Sequence, residues 1–374
     1  MKPFKFSRIV SFGMLTFMLW FVAIATTSHG MAQDKLFQGK VNKNLYLARE
    51  HKATPEMKRS IESLRQEIKD KNYSFEVGYT TAMDRTIQEL AGTREPSNID
   101  SLARVQNALG GKILEIDTKA REDFIRINPD KAALLNRYLE YLKHCVATKS
   151  AFDWAGAGKV TPVRDQSACG SCWVFGTVGA FEGSYAIVNG PLIDASEQDV
   201  LSCSGGGSCS GGWPNLAAGY LVSTGTATET VVPYTHTNGT CQSAVSRPYR
   251  AITWAYVASN GAQPTVQELK QALCDHGPLS VCVRVTSAFQ AYTSGVFNES
   301  DMGSINHCVT MVGWDDSKGA WLIKNSWGTG WGVSGYMWIK YGSNSIGKLA
   351  LWVQAKNRIY VIPAKYFKEI APHL

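Results

Sequence analysis

Polar and apolar positions divide the chain into stretches of different period. Lys2, Lys5 and Arg8 precede an apolar run from about Ile9 to Ala25, and small residues follow at Gly30 and Ala32. That order reads as a signal peptide over 1–32, cut after Ala32. An uncleaved membrane anchor is the alternative, and the run is slightly short for one. Helical spacing comes next. Thr54 and Pro55 form an N-cap and first-turn pair, and Met57, Ile61, Leu64 and Ile68 make one apolar stripe, so 55–71 reads as an amphipathic helix. Phe75, Val77 and Tyr79 alternate like a short strand. Further helices are expected over 83–91, from Asp100 to a stop at Gly110-Gly111 with Leu102, Val105 and Leu109 on one face, and from Asn128-Pro129 to about Cys145 with Leu135, Tyr138, Leu139 and Leu142 inside.

Beyond residue 150 the apolar content rises. Phe175, Val178, Phe181 and Tyr185 recur at helical spacing after Cys172, and Ser196 opens another short helix. Thr265-Val266-Gln267-Glu268 is a capping box for a helix to about Asp275. The period then changes to two. Residues 279–285, 308–312, 320–323 and 336–340 alternate between glycine-rich turns, which predicts an antiparallel, barrel-like sheet. The fold class is α+β: a helical lobe, a β lobe, a cleft between them, and a mostly helical segment in front.

Composition sharpens the boundary. Residues 33–150 carry 38 charged side chains in 118 positions, and residues 151–374 carry 28 in 224. The net charge of +7 belongs to the leader and the middle segment, so it is poor evidence for a nucleic-acid partner of the larger unit. The divisions read as 1–32 leader, 33–150 helical segment and 151–374 main domain. Nine cysteines point to an oxidising compartment.

Candidate chemistry lies in Gln166-Ser167-Ala168-Cys169-Gly170-Ser171-Cys172-Trp173. A thiol at the first turn of a buried helix feels the positive end of the helix dipole, which favours thiolate. His307 follows 135 residues later in Ile305-Asn306-His307-Cys308, and Asn325 another 18 on in Lys324-Asn325-Ser326-Trp327-Gly328. These runs, their order and their spacing resemble the papain-like cysteine proteases. The resemblance implies a two-lobed fold with Cys172 as nucleophile and His307 as its ion-pair partner and general acid–base. Asn325 would orient the imidazole, Trp327 would shield that bond, and Gln166 would complete the oxyanion hole.

The same resemblance implies disulfides Cys169–Cys209 and Cys203–Cys241. It also implies substrate contacts at Gly211, Gly212, Trp213, Pro214, Cys282, Cys308 and Trp327, and an inhibitory propeptide in 33–150. An independent helical domain is the alternative for that segment. Val174 and Gly176 depart from the family's usual Ala and Ser, and the third disulfide often seen in the β half lacks its cysteines. Cys274, Cys282 and Cys308 are extra; Cys282 and Cys308 either pair or stay free in an apolar pocket. The expected protein is a secreted, periplasmic or lysosomal cysteine endopeptidase made as a zymogen. It would act as a monomer on peptide or protein substrates, with its own propeptide as intramolecular inhibitor. No cofactor, metal or nucleic acid is called for, and a membrane only if the leader stays. The alternatives are a non-catalytic peptide-binding relative and an exopeptidase or transpeptidase of the same fold.

Overall fold

Thr54 accepts the Met57 N–H at 3.2 Å through its hydroxyl, and the helix it caps, α2 (Pro55–Asp70), buries Ile61 completely. The structure, a computed structural model, describes residues 36–366. The leader read over 1–32 lies outside them. Among the described residues no helix is long and apolar enough to cross a membrane.

A short helix, α1 (Lys43–Lys52), precedes α2; only Tyr46 is buried in it, so it left no apolar stripe to read. β1 (Phe75–Val77) follows. The helix expected over 83–91 is instead a 3-10 turn at Thr81–Asp84 and a single turn, α3 (Ile87–Leu90). Arg85 is extended, and Thr86 with Glu89 forms a capping box that starts the chain afresh. The helix expected to stop at Gly110-Gly111 runs through both as α4 (Ile99–Ile127). Gly110 faces the sheet, where a Cβ would lie 3.0 Å from Ala255 Cβ and from the Trp254 carbonyl. The glycine is there for close approach, which offsets its cost of about 1 kcal/mol inside a helix. Val105, placed on the apolar face by spacing, is exposed. After a 3-10 turn at Pro129–Lys131 comes α5 (Ala132–His144), with Cys145 as its C-cap and Leu135 buried. The Tyr138 side chain lies outside the described residues.

The chain continues beyond residue 150 as β2 (Ala151–Asp153), α6 (Cys172–Asn189), α7 (Glu197–Cys203), β3 (Gly207–Ser208), β4 (Gly211–Gly212), α8 (Pro214–Ser223), β5 (Ala251–Tyr256), α9 (Val266–His276), β6 (Leu279–Val283), α10 (Ser287–Ala291), β7 (Tyr292–Phe297), β8 (His307–Asp315), β9 (Ala320–Lys324), β10 (Tyr336–Lys340) and β11 (Lys348–Ala355). Every residue of α6 from Cys172 to Val188 is buried, so this helix is covered all round rather than on one stripe. The strands form an open sheet in the order β1-β7-β10-β9-β8-β6-β11-β5, with β2 added on β8. The patterning suggested a barrel; the sheet does not close, and its end strands are β1 and β5. On one edge β1 is the last strand, with Phe75 paired with Gly295 and Val77 with Tyr292. Along the other, α4 lies on β5: Gln106 donates to the Trp254 carbonyl at 2.6 Å, and Asn107 accepts from Tyr256 N–H at 2.9 Å.

Candidate active site

Cys172 is the first residue of α6, and no side chain caps that terminus. The helix's first N–H groups and its dipole therefore act on the thiol. His307 is the first residue of β8, and Asn325 follows directly on β9. β8 and β9 are antiparallel neighbours, so a separation of 18 residues becomes a contact: His307 Nε2 and Asn325 Oδ1 are 2.8 Å apart. The same Asn325 oxygen accepts from Ser326 N–H at 2.8 Å, which fixes the amide as an acceptor toward the ring. The Trp327 ring packs over the imidazole with centroids 4.8 Å apart and is fully buried. Among the described residues buried His307 Nδ1 has no hydrogen-bond partner, which leaves it as the atom through which the ring acts on Cys172.

Gln166 is held from several directions. Its N–H donates to the Ser326 carbonyl at 2.8 Å, and its Oε1 accepts from Ser326 Oγ at 2.7 Å. Its Nε2 donates to the carbonyls of Cys169 at 2.8 Å and Leu90 at 3.0 Å. The segment before the main domain therefore runs through the cleft, and Leu90 takes the amide hydrogen that the oxyanion reading assigns to a substrate carbonyl. Two residues on, Gly92 N–H donates to Cys172 Sγ at 3.2 Å, and Thr93 Oγ1 is also 3.2 Å from that sulfur. Thr93 N–H then donates to the Asn306 carbonyl at 2.9 Å, Gly212 N–H to the Gly92 carbonyl at 2.8 Å, and Arg94 N–H to the Gly212 carbonyl at 2.9 Å. Thr93 pairs with Gly212 in the parallel sense. Arg94 also reaches the Ser210 carbonyl and stacks over Trp213 at 5.2 Å.

The electrostatics follow. Burial pushes the Cys172 thiol up. His307, by charge and by its approach, then Thr93 and the Gly92 N–H, outweigh burial and bring the thiol from 9.0 down to about 7. A thiol near 7 is ionised enough at neutral pH to attack a carbonyl.

The structure brings Gln166, Cys172, His307, Asn325 and Trp327 together with Gly211, Gly212 and Trp213. Cys169–Cys209 and Cys203–Cys241 are disulfides. Cys282 and Cys308 are free and opposite one another on β6 and β8, but they turn toward α6. A Cβ on Gly176 would meet Cys308 Sγ at 2.6 Å, and neither thiol is exposed to the cleft in this form. Pro214 is buried as the first residue of α8. Sequence reasoning missed Leu90, Gly92, Thr93 and Ser326. For the first three the one signal was Gly92, an isolated glycine between two helical patterns. It also missed the disulfide Cys145–Cys274, whose two cysteines are 129 residues apart and stand in no motif.

A model described as papain family cysteine protease matches residues 148–354. Digestive cysteine proteinase 1 of Homarus americanus is 40% identical over 195 residues, which cover 50% of this chain and 60% of that protein. The chain therefore spans well under two thirds of that relative's length. Zingipain-2 of Zingiber officinale is 40% identical over 193 residues, 50% of this chain and 85% of that protein. Among solved structures, recombinant stem bromelain precursor superposes with a TM-score of 0.60 at 26% identity, covering 83% of this chain and 93% of that one. That likeness reaches beyond residues 148–354 into the preceding segment. On the family match over more than half its length, the chain belongs to the papain family of cysteine proteases.

Proposed function

We propose that the chain is the zymogen of a secreted cysteine endopeptidase. Cys172 attacks the peptide carbonyl as a thiolate, and His307 protonates the leaving amine. The resulting thioester is hydrolysed by water that the same imidazole activates. Gln166 Nε2 donates to the developing oxyanion. The segment from residue 36 to about Asn98 is the inhibitor, because its main chain fills the hydrogen-bonding positions of Gly212 and the thiol. The observation that carries the reading is the single cluster in which Cys172, His307 and Asn325 meet, with the thiol lowered to about 7. Three disulfides support an oxidising destination.

The test is hydrolysis of a peptide blocked at both ends, after incubation of the full chain at mildly acidic pH. Cleavage by wild type and none by Cys172→Ala is the expected result. Activity confined to peptides with a free terminus would move the assignment to an exopeptidase. Binding without turnover in any thiol-dependent assay would move it to a peptide-binding protein.

A further inference from the structure

We infer that activation cuts the chain within Arg94–Asn98, and that α4 and α5 stay in the working enzyme as part of its catalytic unit. This rests on the zymogen reading above and places the cut some fifty residues before the compositional boundary near 150. The cut is one hydrolysis. A peptide C–N bond breaks, the hydroxyl of water goes to the carbonyl carbon, and the remaining proton goes to the new amino terminus.

The two candidate cleavage stretches differ in how their backbone is held. Arg94, Glu95, Ser97 and Asn98 are exposed. Glu95, Pro96 and Ser97 make no backbone hydrogen bond among the described residues. The Arg94 and Glu95 side chains are tied to the Ser210 carbonyl and to Lys348, but an irregular, exposed backbone of this kind is what a protease can draw into its cleft. The stretch before Ala151 has exposed side chains at Val146, Thr148 and Ser150, but its backbone is built in. Cys145 and Ala147 are buried, and the Lys149 carbonyl accepts from Trp314 Nε1 at 3.0 Å. The Ser150 carbonyl accepts from Asp316 N–H at 2.7 Å, and Ala151–Asp153 are already paired with β8.

Three further contacts hold α4 and α5 to residues that no N-terminal cut can remove. Gln106 and Asn107 of α4 cap the polar groups of β5, the outermost strand of the sheet. Without α4 that edge would stand open to other chains. The C-terminal tail is the second. Tyr360, Ile359, Ile362 and Tyr366 share small cores with Ile113, Ile116, Ala120 and Leu135. Tyr360 donates to Asp117 and Tyr366 to Asp123 at 2.5 Å each. Losing α4 would strip the tail of the surface it packs on. The third is covalent: the Cys145–Cys274 disulfide ties the end of α5 to α9. The inhibitory part has no such bond. Its lobe, α1 to α3, is held by hydrogen bonds such as Tyr46 to the Gly332 carbonyl and Thr80 to the Gln290 carbonyl.

The experiment is intact mass and N-terminal sequencing of the full chain after self-processing at mildly acidic pH, with and without reductant. A catalytic chain that begins between Glu95 and Ile99, with the same mass apart from the added thiol hydrogens after reduction, is the expected result. A terminus between Val146 and Phe152 overturns the inference, whether the preceding helices leave at once or only on reduction. A second arm does not use the chain's own activity: Cys172→Ala is exposed briefly to subtilisin and the first cut is mapped. A first cut within 94–98 supports the inference, and one within 146–152 overturns it. If wild type then shows no thiol-dependent hydrolysis after that cut, the zymogen reading fails while the placement of the open link stands on the second arm.

Discussion

Gly92 is the position at which the closed cleft is most easily broken by one atom. A Cβ there would lie 2.0 Å from the Gly170 carbonyl oxygen, 2.7 Å from its carbon and 2.9 Å from its Cα. All three are backbone atoms of the loop that the Cys169–Cys209 disulfide clamps, so they have little room to yield. Gly92→Ala must therefore lift the segment off the cleft. Four main-chain hydrogen bonds go with it: Gly92 N–H to Cys172 Sγ, Gly212 N–H to the Gly92 carbonyl, Thr93 N–H to the Asn306 carbonyl and Arg94 N–H to the Gly212 carbonyl. At about 0.5–1.5 kcal/mol net for each, the loss is about 2–6 kcal/mol. With tenfold for each 1.4 kcal/mol, the open fraction rises roughly 30-fold to 10⁴-fold. The lobe formed by α1 to α3 keeps its own anchors, so opening is local and not global unfolding. The assay is the rate of iodoacetamide labelling of Cys172 in the unprocessed chain, mapped by mass spectrometry, with the buried Cys282 and Cys308 as internal controls. Arg94→Ala, which removes only side-chain contacts, should change the rate far less. A Gly92→Ala chain that labels Cys172 as slowly as wild type would refute the argument that this backbone contact closes the site.

The remaining expectations are checked by simpler measurements. Asn325→Ala removes the acceptor for His307 Nε2; at about 1.5–3 kcal/mol for a hydrogen bond to a group that becomes charged, kcat falls roughly 10- to 150-fold with a smaller change in KM. A Cys172 thiol held at about 7 against an ordinary 9.0 stabilises the folded chain fully above pH 9 and loses that contribution as pH falls through 7, by at most about 2.7 kcal/mol. Urea midpoints of wild type against Cys172→Ala between pH 6 and 9 read this contribution, and Thr93→Val should shift the thiol's titration upward. Thr161 links the buried Lys324 amine, which donates to its hydroxyl at 2.9 Å, to the buried Glu182 carboxylate, which accepts from it. Burial lowers Lys324 and raises Glu182, so both need the link. Thr161→Val removes the partner of the Lys324 amine and of Glu182 Oε2, while Glu182 Oε1 keeps the Ala195 N–H, and should cost about 2–5 kcal/mol in denaturant unfolding.

What the sequence made legible was local. Cys172, His307 and Asn325 each stand in a run with its own signal: a thiol before an apolar helix, a histidine opening a strand, an asparagine before an aromatic, glycine-rich turn. Thr54 and Thr265 announced their helices because a cap is a contact between residues three apart. Illegible features depended on distant partners. Gly110-Gly111 reads as a stop unless one knows that β5 lies against it. Gln106 and Asn107 look like surface residues, yet they complete a strand edge about 150 residues away. Cys145 and Cys274 show no pairing signal until α5 and α9 are placed side by side. Leu90 to Thr93 carries no periodicity, because its neighbours contact its main chain more than its side chains.

That last property explains how a thiol lowered to about 7 can lie against a peptide without cutting it. The segment's hydrogen-bonding groups at Cys172 Sγ are the Gly92 N–H, a donor, and the Thr93 hydroxyl, which donates when the sulfur is a thiolate. Donors stabilise a thiolate; an electrophilic carbon is what would consume it. The carbonyl of the segment that reaches the Gln166 amide belongs to Leu90, two residues from the N–H that meets the sulfur. The Gln166 amide and the nucleophile are thus hydrogen-bonded by different residues of the segment. The parallel pairing of Thr93 with Gly212 sets that division, because it fixes the direction in which carbonyls and N–H groups pass the thiol. The contacts that lower the thiol are among those that cover it. Opening it therefore needs only the removal of a segment, with no rearrangement of His307 or Asn325.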